Sequence, residues 1–232
     1  MNTQLILDYL RDIKENNNRQ WFNEHKDRYL AAKDDFEAGI AKAIQRIVSF
    51  DPTVAHITVK DAVYRFYRDT RFSPDKSPYK RHLGAYIAAH GKKALHGGYY
   101  IHLEPGACLL ACGNYYLPTN ILTACRNEIM ANEEQWLSAV ANPEFMKLFG
   151  LPGLHDFNEQ HGFGLSVLKK CPTGFPRDYK HVDYLRMKDY CCWTHVADDF
   201  FKDDTWLDTM ADIFQVAKPM MDFVNAVIDD YE

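Results

Sequence analysis

Between Asp51 and Tyr116 the apolar residues change period, and that change restricts the chain to folds that combine helices with a sheet. Before Asp51-Pro52 the pattern is helical. Leu5, Ile6, Tyr9, Leu10 and Ile13 recur at helical spacing. A second helix is expected from Arg19 to about Val48, with Trp21, Phe22, Tyr29, Phe36, Ile40, Ile44 and Ile47 as its apolar side and Asn17 or Asn18 as its cap. After Asp51 the segments "ITVKDAVYRFYRD", "LGAYIAA", "GGYYIHLE" and "ACLLACGNYY" are rich in β-branched and aromatic residues and are separated by Gly and Pro turns. They predict an antiparallel sheet of about four or more strands. Helical spacing returns at "LPTNILTACRNEIMANEEQWLSAVAN", with Thr119 or Asn120 as cap, and Pro143 starts a short helix. Residues 150–200 read as irregular. The tail from about Asp203 to Ile228 is amphipathic, and Pro219 is expected to kink or split it. The fold class is therefore α+β: a central antiparallel sheet flanked by N-terminal, middle and C-terminal helices, in one domain over residues 1–232.

Several function classes are excluded at this level. No run of about 18 apolar residues exists, so no membrane span is expected. The N-terminus lacks a basic leader region and reads as a helix. The six cysteines contain no CxxC pair and read as small buried hydrophobes in a reducing, cytoplasmic setting. No GxGxxG follows a strand, and GxxxxGK[ST], GxSxG, HExxH and the EF-hand loop are all missing. Rossmann dehydrogenases, P-loop NTPases and serine hydrolases are thereby disfavoured. The cofactor is left undetermined, no metal is assigned, and the oligomeric state stays open.

One block departs from the rest. Tyr64–His82 carries six basic and two acidic residues, a net +4, which leaves −9 for the remainder of a chain whose net charge is −5. Read as a strand, Val63–Arg68 places Arg65 and Tyr67 on one face and Tyr64, Phe66 and Arg68 on the other. "RDTRFSPDKSPYK" then forms a proline-stiffened loop. Arg65 and Arg68 with Arg71, Lys76 and Lys80 make a candidate binding site for a phosphate or carboxylate, because guanidinium groups match planar anions and lysine adds a point charge. The competing expectation is that Asp69 and Asp75 already pair with these cations.

"NNNRQWFNEHKDRY", "YRFYRDTRFSPDKSPYK", "YYIHLEPG" and "CPTGFPRDY", in that order, resemble the bacterial and fungal proteins grouped as domain-of-unknown-function family 2461. The resemblance covers nearly the whole chain. It implies a cytoplasmic, single-domain α+β protein and carries no activity with it, so every role here is inferred from the residues themselves.

Tyr100, His102 and Glu104 alternate onto one strand face. His102 beside Glu104 is a candidate catalytic pair for proton transfer. The pair is also half of a metal site, with His82 and His96 as possible further ligands of no diagnostic spacing. The reading that follows is a small anionic, phosphorylated ligand at the basic block, with enzymatic activity undecided. A nucleic-acid-binding or -processing protein is the second choice, with Tyr67, Phe72 and Tyr79 as stacking surfaces. A protein-interaction module with a basic docking loop is the third.

Overall fold

Two asparagines fix where the first helices begin. In the computed structural model, which describes residues 1–203 and 205–231, the Asn2 side chain accepts from the Leu5 N–H and opens α1 (Thr3–Glu15). Asn18 accepts from the Trp21 N–H at 3.0 Å and opens α2 (Arg19–Glu24). The helix expected over 19–48 is two helices, because α3 (Lys26–Val48) starts anew after His25. At that joint the His25 Nδ1–H donates to the Trp21 carbonyl at 2.9 Å, while its ring stacks on the indole at 4.2 Å. A side-chain donor competing for a helix carbonyl favours such an interruption.

The stretch read as the first strand is corrected by the structure. Thr58 and Asp61 form a capping box, which starts α4 (Val59–Ala62) despite the β-branched residues around it. Beyond α4 the chain is extended but makes only isolated bridges, Val63 to Ala85 and Tyr67 to Tyr79. Pro78 has no N–H to donate, so the pairing rests on single bonds such as Arg68 N–H to Pro78 O and Lys80 N–H to Phe66 O. Only Phe66 of the expected inward pair is buried, at 3% exposure, whereas Tyr64 is 36% exposed.

The expected sheet is present and has five antiparallel strands among the described residues. These are β1 (Leu83–Ile87), β2 (Gly98–Leu103), β3 (Leu109–Asn114), β4 (His161–Phe163) and β5 (Tyr190–His195), in the order β1-β2-β3-β5-β4. β4 and β5 pair in the register His161–Thr194, Gly162–Trp193 and Phe163–Cys192. Both lie in the segment read as irregular. The middle helical region is α5 (Thr119–Ala131), α6 (Glu133–Val140) and α7 (Pro143–Phe149), with Pro118 rather than Thr119 or Asn120 at the first cap position. After a short α8 (Val182–Arg186), α9 (Trp206–Asp229) runs through Pro219 without splitting. Met210, Phe214 and Ala217 before that residue and Met220, Met221 and Val224 after it, all buried, hold the helix across its missing N–H. Among the described residues, no helix is long and apolar enough to cross a membrane.

The chain folds as two compact units. The first comprises Met1–Lys92, Tyr100–Leu109 and Val196–Ala211. The second comprises Lys93–Tyr99, Leu110–His195 and Asp212–Glu232. In the first, Tyr9, Phe22, Tyr29, Phe66 and Tyr79 form one aromatic cluster, with Phe22 and Tyr79 stacked at 4.1 Å and Tyr29 and Phe66 at 5.0 Å. In the second, Trp136 is the hub, its ring 5.4 Å from Tyr190 and 5.1 Å from Phe223. None of the six cysteines forms a disulfide, and five of them are buried.

Asp189 in the second unit is buried at 2% exposure and accepts the backbone N–H groups of Leu165, Ser166 and Cys191. Burial outweighs those bonds and pushes its carboxyl up from 3.8 to about 6. A raised folded-state pKa contributes stability that is complete below the unfolded value and lost as pH rises through the folded one. The stability of the native chain relative to Asp189→Asn, which has no charge to titrate, should therefore fall by roughly 3 kcal/mol between about pH 3.5 and 7. Denaturant unfolding of both chains across that range measures the difference, and a flat difference would contradict the assignment.

Candidate functional site

The basic loop is built largely from its own charges. Asp75 accepts from Arg68 at 2.6 Å and caps the turn by accepting from the Ser77 N–H at 2.9 Å. The Ser77 bonds, then Arg68, hold its carboxyl well below the usual carboxylate range. Asp69 receives Arg71 through both Nε and Nη2, the latter at 2.7 Å. Lys76 donates to the Thr70 carbonyl at 2.9 Å. Three of the five cations singled out from the sequence, Arg68, Arg71 and Lys76, thus have partners inside the loop. Asn17 fastens the loop from the helical side. Its amide donates to the Tyr79 carbonyl and accepts from the Tyr79 N–H, both at 3.0 Å.

Arg65 and Lys80 are different. Neither makes a side-chain hydrogen bond or ion pair among the described residues. Lys80 lies over the Tyr64 ring, 5.1 Å from its centroid, and Lys92 lies over the same ring at 5.5 Å. Lys92 donates to the Val63 carbonyl at 2.7 Å. Desolvation, then repulsion from Arg65 and Lys92, lowers the Lys80 pKa. Arg65 also borders a cleft of about 580 Å³ walled by Tyr29 and Phe36 of α3 and by Val59 and Lys60 of α4. Lys92, from the "HGKKALHGG" turn, was not legible as part of this group, since only the fold brings that turn back to Tyr64.

Beside the cations lies the histidine face, with Tyr64 and Tyr100 meeting edge-on at 6.2 Å. Tyr100, His102 and Glu104 are aligned as strand parity requires. Glu104, a carboxylate, can only accept, so His102 Nε2–H donates to its Oε2 at 3.1 Å. His102 Nδ1 then accepts from the Tyr100 hydroxyl at 2.9 Å. The His102 bond keeps the Glu104 carboxyl low, and burial raises the Tyr100 phenol. His82, two residues after Lys80, packs its ring against His102 in a tilted arrangement, centroids 4.4 Å apart, and places Nδ1 4.0 Å from Glu104 Oε2. Burial first, then the electrostatic influence of the neighbouring His102 and Lys80, drives the His82 pKa down to about 4. A cation cluster and a His–His–Glu cluster thus share one face of the first unit. His96, the other histidine considered as a ligand, lies in the second unit and bonds Asp229 at 2.8 Å.

Helices on a mainly antiparallel sheet, with unpaired cations beside an ordered histidine–carboxylate pair, define the general class. The chain belongs to the family described as conserved hypothetical protein (DUF2461), whose model matches residues 5–223. Comparison with curated proteins and with solved structures gives no match.

Proposed function

We propose that the first unit binds a small phosphorylated ligand through Arg65, Lys80 and Lys92, with His102 and Glu104 placed beside it to act on it. The observation that carries this reading is Lys80. It is a half-buried ammonium with no carboxylate partner, and the neighbouring Arg65 and Lys92 repel it. Such a group is held at a cost unless an anion joins it, and perturbed, unpaired charges of this kind collect at functional sites. Arg68, Arg71 and Lys76 serve this site indirectly, by shaping the loop through Asp75, Asp69 and Thr70. Nucleic acid fits less well. Of the three aromatics expected to stack on bases, Tyr79 is buried at 3% exposure, leaving Tyr67 and Phe72. Six cysteines without a disulfide suit a cytoplasmic setting.

A thermal-shift series with inorganic phosphate, pyrophosphate, sugar phosphates and nucleotides tests the reading. At least one should raise the melting temperature with saturation. Lys80→Ala and Arg65→Ala should each weaken that ligand by about tenfold or more, the worth of a hydrogen bond to a charged group. No shift with any of them, or affinity unchanged in Lys80→Ala, would remove the proposal. Oligonucleotide binding with a steep salt dependence would favour the nucleic-acid alternative instead.

A further inference from the structure

The ligating atoms of His82, His102 and Glu104 all lie within 4.8 Å of one another. We propose that these three side chains hold a divalent transition-metal ion of the zinc or ferrous type. The distances suit it. Metal–ligand bonds of about 2.0–2.2 Å place neighbouring ligand atoms roughly 3.0–3.5 Å apart. His102 Nε2 and Glu104 Oε2 are already at 3.1 Å, and His82 Nδ1 has to close only slightly from 4.0 Å. Two imidazoles with one carboxylate select this class of ion over calcium or magnesium, which favour oxygen donors. Three protein ligands leave coordination positions open, as catalytic sites do and structural sites do not.

The surroundings support the same assignment. His102 lies at the end of β2, Glu104 directly follows that strand, and His82 immediately precedes β1. When His102 Nε2 binds the ion, Nδ1 carries the proton and donates it to the Tyr100 oxygen, which orients the ring. Gly84 of β1 leaves room for Tyr100, since a Cβ there would come within 2.7 Å of the hydroxyl. Lys80 beside His82 and Lys14 beside Glu104 oppose a cation. They set the expected dissociation constant nearer micromolar than nanomolar. The ion does not depend on the phosphorylated ligand proposed above, because all three of its ligands are side chains of this chain.

Titration of the purified protein with Co²⁺ in a phosphate-free buffer tests the site. One equivalent should bind with visible d–d absorption, and Zn²⁺ should displace it. His82→Ala and Glu104→Gln should each lower the affinity by at least about tenfold, and Tyr100→Phe by less. His155→Ala, at a histidine of the second unit, should leave binding intact. Should His82→Ala fail to fold, Glu104→Gln decides, since it changes one half-exposed side chain with no change of shape. Absence of saturable one-equivalent binding, or binding that survives Glu104→Gln in a folded protein, overturns the proposal. Because no phosphate is present, either result leaves the Lys80 reading to be judged by its own titrations.

Discussion

Gly113→Ala is expected to abolish stable folding. Gly113 lies in β3 with φ at +106°, a backbone conformation that side-chain-bearing residues rarely adopt. Forcing another residue there costs on the order of 1–3 kcal/mol. Space is the larger obstacle. A Cβ would stand 2.2 Å from the Tyr190 carbonyl oxygen of the adjacent strand β5 and 3.1 Å from the Met220 side chain. The methionine can move, but the carbonyl is backbone in the interior of a sheet. Relief requires β3 and β5 to separate, at the expense of strand pairing and of packing at Tyr190, which is fully buried. Together the two effects should exceed roughly 4 kcal/mol, a large part of a typical domain's stability. Gly91→Ala separates them. Gly91 also has positive φ, at +79°, but nothing lies within 4 Å of a Cβ there. It should cost only about 1–2 kcal/mol. Thermal melts of the two variants are the measurement. If Gly113→Ala melts within a few degrees of Gly91→Ala, the close approach of β3 to β5 is wrong.

Neither glycine's role is visible in the sequence, where both sit among ordinary β-rich or turn residues. What was legible has a physical basis. α1 and α9 are long and amphipathic, and both appear close to their expected positions. β1, β2 and β3 alternate or run apolar between glycine turns, and all three form. The errors arose where a local signal and a tertiary one disagreed. At Thr58–Asp61 two hydrogen bonds of a capping box outweigh β propensity, which is a weak preference set by packing. In β5 the sequence Tyr-Cys-Cys-Trp is buried on both faces, so it lacks the alternation that identifies a strand. The candidate site divides in the same way. Tyr100 and His102 lie in β2 and Glu104 directly follows it, so parity alone aligned them. His82 and Lys92 reach the same face only through the sheet and a turn. Which loop cations were paired was likewise undecidable without coordinates, because Asp75 had Arg68, Lys76 and Arg81 within reach and the structure gives its closest contact to Arg68.

The second large effect lies beneath that loop. Phe66→Ala should destabilise the first unit by about 3–5 kcal/mol, the usual cost of emptying a buried phenylalanine site. Phe66 is 3% exposed and touches four other rings: Tyr9 of α1, Phe22 of α2, Tyr29 of α3 and Tyr79 at the far end of the basic loop. It also follows Arg65 directly, and its carbonyl accepts the Lys80 N–H at 2.9 Å. One side chain therefore joins the three N-terminal helices to Arg65 and Lys80, two of the three cations of the proposed anion site. The loop's salt bridges cannot replace it, since Asp69–Arg71 and Arg68–Asp75 hold the loop to itself and exposed pairs contribute little. Loss of the ring should lower the melting temperature by about 10 °C. It should also open residues 68–78 to trypsin, which cleaves after Arg68, Arg71 and Lys76, and should weaken phosphorylated ligands together with stability. Phe66→Leu keeps most of the volume, so it should cost less than about 1.5 kcal/mol and leave binding near normal. If Phe66→Ala loses stability while ligand affinity and loop protection stay unchanged, then Arg65 and Lys80 are positioned by the loop's internal ion pairs and not by the aromatic cluster.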